Sequence, residues 1–168
     1  MDAHATGRAV RPAPSFEPSL NIVERTLLLL EVAPFRALTS EELAELASKM
    51  TELHFEAGEV VFADGDAEGR LCIVVDGAVD LTHGETSVRR ATRGIAFGIF
   101  GLLGIPADET ARAAESTCAL ALAREDFVDA LADNQAFAVG CLRGLALMLQ
   151  ALLRRVEALE KSATSQDR

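Results

Sequence analysis

Hydrophobic positions along this chain change their spacing twice, and the two changes divide it into helix, strand and helix again. Between residues 23 and 32 apolar side chains follow Asn21, with Glu24 three places on to complete a capping pair, and Pro34 ends the run. A second helix opens at Thr39-Ser40-Glu41-Glu42, a capping box, after which Leu43, Leu46, Ala47 and Met50 share one face. From Thr51 the period falls to two and glycines begin to punctuate the chain. Strands are predicted over 52–56, 59–63, 71–75, 78–82, 88–91 and 112–122, with turns at Ala57-Gly58, Asp64-Gly65-Asp66, Asp76-Gly77, His83-Gly84 and Arg93-Gly94. Short strands closed by glycine turns predict an antiparallel sandwich or barrel. Helical spacing then returns: Arg124-Glu125-Asp126-Phe127 opens a short helix ending near Asp133-Asn134, and a long one is predicted over 135–161. Residues 1–19, rich in Ala, Pro and Ser, predict a disordered tail or linker, and 162–168 a second tail. The domain between them is 20–134, a roll of strands with flanking helices.

The long helix has a pattern of its own. Ala138, Leu142, Leu145, Leu149, Leu152, Val156 and Leu159 are spaced alternately by four and three, which is a heptad seam. Leu142, Leu149 and Val156 take the a positions, and Arg155 at g with Glu160 at the following e suits a parallel pair of helices. Cys141 and Met148 at g, Leu153 at e and Leu147 at f widen the apolar face. The early part of the helix is therefore expected to pack on the roll, and the last turns to meet a second copy of the chain. A monomeric helix laying the whole face on its own roll is the competing arrangement.

Length and composition fit one folded domain: 168 residues, 49% hydrophobic and 25% charged. The net charge of −10 disfavours nucleic acid and anionic membrane surfaces as partners. No apolar run is read as approaching the ~20 residues of a membrane span, so membrane insertion is not expected. The first residues lack the apolar core of a signal peptide. Cys72, Cys118 and Cys141 form no C-x-x-C pair and lie in apolar stretches, so buried free thiols in a cytoplasmic protein are expected.

Two groups of residues carry a family likeness. Gly58-Glu59-Val60-Val61-Phe62, Gly65-Asp66, Gly69-Arg70-Leu71-Cys72-Ile73-Val74-Val75 and Gly77-Ala78-Val79 form the first. Phe97-Gly98, a Leu pair, Pro106 and the run from Cys118 to Phe127 form the second. Together they resemble cyclic-nucleotide-binding domains over roughly 23–160, and the stretch from Glu24-Arg25 to Leu46 is similar to the helical lead-in of bacterial members. The resemblance implies a mainly β fold: a double-stranded β-helix, or jelly roll, with N-terminal helices and a long C-terminal helix. It also implies a ligand cassette at Phe97, Gly98, Ile99, Asp108, Glu109, Thr110, Ala111 and Arg112. The family's cassette reads Phe-Gly-Glu followed by an arginine; the glutamate accepts the ribose hydroxyl and the arginine holds the cyclic phosphate. Here Ile99 stands at the glutamate position, and Ala107 or Asp108 at the arginine position. Losing two charge-assisted hydrogen bonds is expected to weaken binding by ~100-fold or more. Arg112 has two readings: a substitute cation pointing into the roll, or a rim residue pairing with Asp108 or Glu109.

Other chemistry finds little support. A cupin-like metal centre needs a His-x-His pair, but the histidines are His4 in the tail and His54 and His83 on separate strands, read as solvent-facing. No catalytic triad and no Gly-Lys-Ser/Thr phosphate loop is evident. Arg89-Arg90 and Arg93 are read as a solvated strand and turn. With 162–168 after the long helix, the DNA-binding helices of the family's transcription factors are not expected in this sequence. The expected function is a non-enzymatic regulatory or sensor domain for signal transduction, a homodimer with altered or lost cyclic nucleotide binding, no cofactor and no metal. The alternatives are a working receptor for cAMP, cGMP or a cyclic dinucleotide, and a protein-interaction scaffold without ligand.

Overall fold

The computed structural model describes residues 20–66 and 69–166, with side chains to Lys161; the predicted tail at 1–19 lies outside the described residues. Both predicted caps form. The Asn21 side chain accepts from the Val23 and Glu24 N–H groups at 3.0 and 3.1 Å, the Glu24 carboxylate accepts from the Asn21 N–H at 2.8 Å, and α1 runs Ile22–Glu31. Thr39 and Glu42 exchange the same pair of bonds ahead of α2, Ser40–Lys49, and a single 3-10 turn, Ala33–Phe35, links the two helices.

Eight strands follow: β1 Thr51–Phe55, β2 Val60–Phe62, β3 Arg70–Asp76, β4 Ala78–His83, β5 Thr86–Thr92, β6 Ala96–Phe97, β7 Thr110–Ala113 and β8 Thr117–Ala123. They form two antiparallel four-stranded sheets, ordered β1-β8-β3-β6 and β2-β7-β4-β5. The four-residue α3, Ile99–Leu102, interrupts the strands, and α4 Arg124–Asp133 and α5 Gln135–Gln166 close the chain. Leu53, Phe62, Cys72, Val74, Val79, Leu81, Phe97 and Ala111 are among the side chains that fill the space between the sheets. Strands β3 and β8 are buried on both faces, which is why they read as continuous apolar runs instead of alternating ones.

The expected strand 112–122 is two strands in different sheets. Neither Gly nor Pro marks the corner at Ala114-Glu115-Ser116. It is held from outside by Gly77, where an added Cβ would lie 2.5 Å from the Ser116 carbonyl, and by the buried Thr117 hydroxyl, which donates to the Ala78 carbonyl at 3.0 Å.

The chain divides into two compact units, residues 50–124 and a helical unit of 20–49 with 125–166. The helices from the two ends of the chain thus group together, a division that the boundary expected at 134/135 does not follow. Phe127 is central to the helical unit, with its ring 6.1 Å from Phe35 and 6.0 Å from Phe137.

Four expectations for the long helix are corrected. It continues to Gln166, where a tail was expected from 162. Its early turns bury Phe137, Gly140, Cys141 and Gly144 against the segment after α1: a Cβ at Gly140 would lie 2.6 Å from Leu38 Cδ2, and one at Gly144 would strike the Pro34 carbonyl. Leu147, expected on the packed face, is 54% exposed, because the glycine face and not the leucine face makes the close approach. Finally, Gln135–Lys161 is long and apolar enough to cross a membrane by length and composition, since Arg143 is its one charge before Arg154. Of the seam, Ala138 and Leu145 are half-buried, while Leu142, Leu149, Leu152, Val156 and Leu159 are exposed.

Candidate functional site

A cavity of about 460 Å³, counting its open mouth, lies in the roll where the loop after β2, the start of β3, α3 and the segment before β7 meet. Glycine makes the convergence possible. Gly98 has φ +79°, and a Cβ there would strike the Arg70 carbonyl and come within 3.2 Å of the Phe62 ring. A Cβ at Gly69 would strike the Gly101 carbonyl, so the loop before β3 and α3 touch backbone to backbone. The loop is also clipped to the far wall: the Gly65 N–H donates to the Ala107 carbonyl at 2.8 Å, and the Ala107 N–H to the Asp66 carbonyl at 3.1 Å.

Of the eight cassette residues, Gly98, Ile99, Asp108 and Glu109 line this cavity, and Ala107 lines it beside them. The other four do not. Phe97 and Ala111 are core residues, with the Phe97 ring 5.8 Å from that of Phe62. Thr110 accepts a hydrogen bond from the Asp64 N–H at 3.1 Å and so steadies the loop. Arg112 is exposed and donates to the Gly58 carbonyl at 2.6 Å. The register explains it: Ala111 stands opposite the buried Leu81, so by strand alternation Arg112 falls beside Asp80 on the outer face. The reading of Arg112 as a substitute cation inside the roll is thereby corrected, and its pairing with Asp108 or Glu109 is replaced by the Gly58 carbonyl.

Two other cations reach the cavity, Arg70 and Arg89. On β5 Arg89 stands opposite Leu81, facing inward, while its neighbour Arg90 stands opposite Asp80 and grips that carboxylate at 2.6 and 3.0 Å. Arg89 Nη2 lies 3.4 Å from Glu109 Oε1. The solvated-strand reading holds for Arg90, and Arg89, its side chain 45% exposed, also borders the cavity mouth. Strand β5 is exposed at nearly every position, so its own pattern carries no signal of which side faces the roll. Arg70 also lines the cavity, as do Asp66, Asp108 and Glu109, which gives it an acidic majority.

The thiols differ among themselves. Burial pushes the Cys72 thiol up to about 12, against a slight opposing pull from Arg70, and keeps it protonated and inert. Burial likewise raises Cys141 to about 12, with help from the Glu42 charge. Cys118 is only half-buried. Its Sγ lies 3.8 Å from the Nε2 of His54, which is also half-buried and not the solvent-facing histidine expected.

The family model of the cyclic nucleotide-binding domain matches residues 52–134. Among the curated proteins, none matches this sequence. The N-terminal domain of a transcriptional regulator from Streptomyces coelicolor is 27% identical with a TM-score of 0.66, and the match covers 74% of this chain and 94% of that one. A cyclic nucleotide-binding-like protein from Brucella abortus is 26% identical with a TM-score of 0.58, over 64% of this chain and 97% of that one. The regulatory domain of Toxoplasma gondii PKA, crystallised with cAMP, shares the fold at 18% identity and a TM-score of 0.59, over 66% of this chain and 45% of its own. With two four-stranded sheets closed as a roll, a glycine-built cassette at 98–101 and the family match from β1 through α4, residues 52–134 of this chain belong to the cyclic nucleotide-binding domain family.

Proposed function

We propose that this chain is a non-enzymatic regulatory module, working as a cytoplasmic homodimer, whose pocket has lost or retuned the binding of cyclic nucleotides. Cyclic nucleotides are the kind of partner that this domain family takes. The observation that carries the reading is the acidic wall of the cavity. Ile99 stands where the family's ribose acceptor would be, and no hydrogen bond can be accepted by its side chain. Asp66, Asp108 and Glu109 all line the cavity, and Glu109 engages Arg89, so an entering anion must compete with a carboxylate already in place. The inward position of Arg89 is the specific point in favour of the second reading, a working receptor for cAMP, cGMP or a cyclic dinucleotide. A scaffold role without ligand is the third.

Calorimetric titration separates these readings. The expected Kd for cAMP and for cGMP is above ~100 μM, equivalent to less than ~5.5 kcal/mol of binding. Low-micromolar binding of either nucleotide overturns the proposal in favour of the working receptor. Tight binding of a cyclic dinucleotide alone supports a retuned pocket, whereas silence from every ligand supports a lost one.

A further inference from the structure

We propose that Glu52, His54 and Cys118 form a metal site for a borderline divalent ion such as Zn²⁺, built on the outer surface of the β1-β8 pair and separate from the cavity. Glu52 and His54 are two apart on β1 and therefore share a face, and the antiparallel register sets Cys118 of β8 directly opposite His54. The intervening Leu53, and Ala119 after Cys118, point the other way into the roll core. A carboxylate oxygen, an imidazole nitrogen and the Sγ all lie within 4.8 Å of one another, and Nε2 to Sγ is 3.8 Å. Ligands at 2.0–2.3 Å around a tetrahedral ion are separated by roughly 3.5 Å, so small side-chain rotations close the set.

The donor chemistry narrows the ion. Thiolate and imidazole with one carboxylate suit Zn²⁺ and Co²⁺, whereas Mg²⁺ and Ca²⁺ call for oxygen donors. Three protein ligands leave one position of the tetrahedron for water or an added ligand, and the half-burial of all three residues keeps the site reachable from solvent. Binding replaces the Cys118 S–H bond with an S–metal bond and releases that proton to solvent. The charge of the bound ion is offset by the thiolate and the Glu52 carboxylate.

The test uses the full chain, reduced, with Co²⁺ and Zn²⁺ alone as probes. Co²⁺ is expected to bind one per chain with a thiolate-to-cobalt charge-transfer band, which Zn²⁺ abolishes by displacement. Cys118→Ser is expected to remove the band. His54→Ala is expected to weaken Zn²⁺ by at least about 10-fold, the effect ordinarily seen for losing even an outer partner. His4→Ala and His83→Ala should leave both signals unchanged. Should the Cys118 variant fail to fold, the wild type decides the matter, because bound Zn²⁺ must slow alkylation of Cys118 as read by mass spectrometry. Absence of the charge-transfer band, retention of tight Zn²⁺ binding in folded Cys118→Ser, or an alkylation rate indifferent to Zn²⁺ would each overturn the site.

Discussion

Ile99 and Asp108 both line the cavity, and under the proposed reading they are the two side chains that set its chemistry apart. Neither contributes to the roll's hydrophobic core, so replacing them changes the ligand's surroundings and not the packing. The double change Ile99→Glu with Asp108→Arg supplies a ribose acceptor and a phosphate clamp together. Each charge-assisted bond is worth ~1.5–3 kcal/mol at best, and the open mouth of the cavity lowers that return through solvent screening. We expect cAMP affinity to rise by ~10-fold or more, measured by calorimetry against the wild type. A folded double variant with no change would show that the Glu109–Arg89 pair, and not the missing anchors, is what bars the anion. The place of both residues at the cavity was legible in the sequence because the glycine at 98 sets the register. Arg89 was not legible. Its inward position depends on the pairing of β5 with β4, a long-range fact that an exposed strand's own pattern does not contain.

At the scale of elements, the readable features were those closed within a few residues. Each capping box satisfies backbone donors three positions away, so Asn21-Glu24 and Thr39-Glu42 specified their helix starts locally. The corner between β7 and β8 lacked a glycine of its own and borrowed one from Gly77, nearly forty residues earlier in the chain, so it was invisible. The long helix shows the same limit from the other side. Its leucine period was plain, but Gly140 and Gly144, which read as weak points in a helix, are the face that packs. A prediction follows from their contact. Gly144→Ala improves helix propensity by about 1 kcal/mol. The new methyl, however, meets the Pro34 carbonyl, and backbone cannot swing aside as a side chain can. Overpacking of this kind costs ~1–3 kcal/mol, so the clash wins and the variant should unfold at lower urea. An unchanged or raised midpoint would show that the 3-10 turn yields easily.

At the scale of the whole molecule, what needs a partner is the apolar surface left over once the chain has folded. Leu142, Leu149, Leu152, Val156 and Leu159 are each at least 50% exposed, on a helix whose packed face is elsewhere. A row of that length on a monomer is an aggregation hazard unless it is covered. The seam's own charges favour a second copy as the cover. Arg155 and Glu160 occupy g and the following e, where a parallel partner places opposite signs together. The same leucines would also suit lipid, given the helix's length, but Arg143 interrupts the apolar run and both Gly140 and Gly144 are already in use against the helical unit. In the proposed dimer, Leu149→Asp or Leu152→Asp would set a carboxylate against its own image across the two-fold, at a cost on the order of several kcal/mol. The native leucines are exposed within the chain, so the folded protomer loses little. We therefore expect sedimentation to give dimer mass for the wild type at ~10 μM and monomer mass for either variant, with the circular dichroism of both variants unchanged. A wild type that sediments as a monomer at that concentration removes the dimer. A variant that unfolds outright would instead make the seam an intramolecular core, and partition of the wild type into vesicles would assign it to lipid.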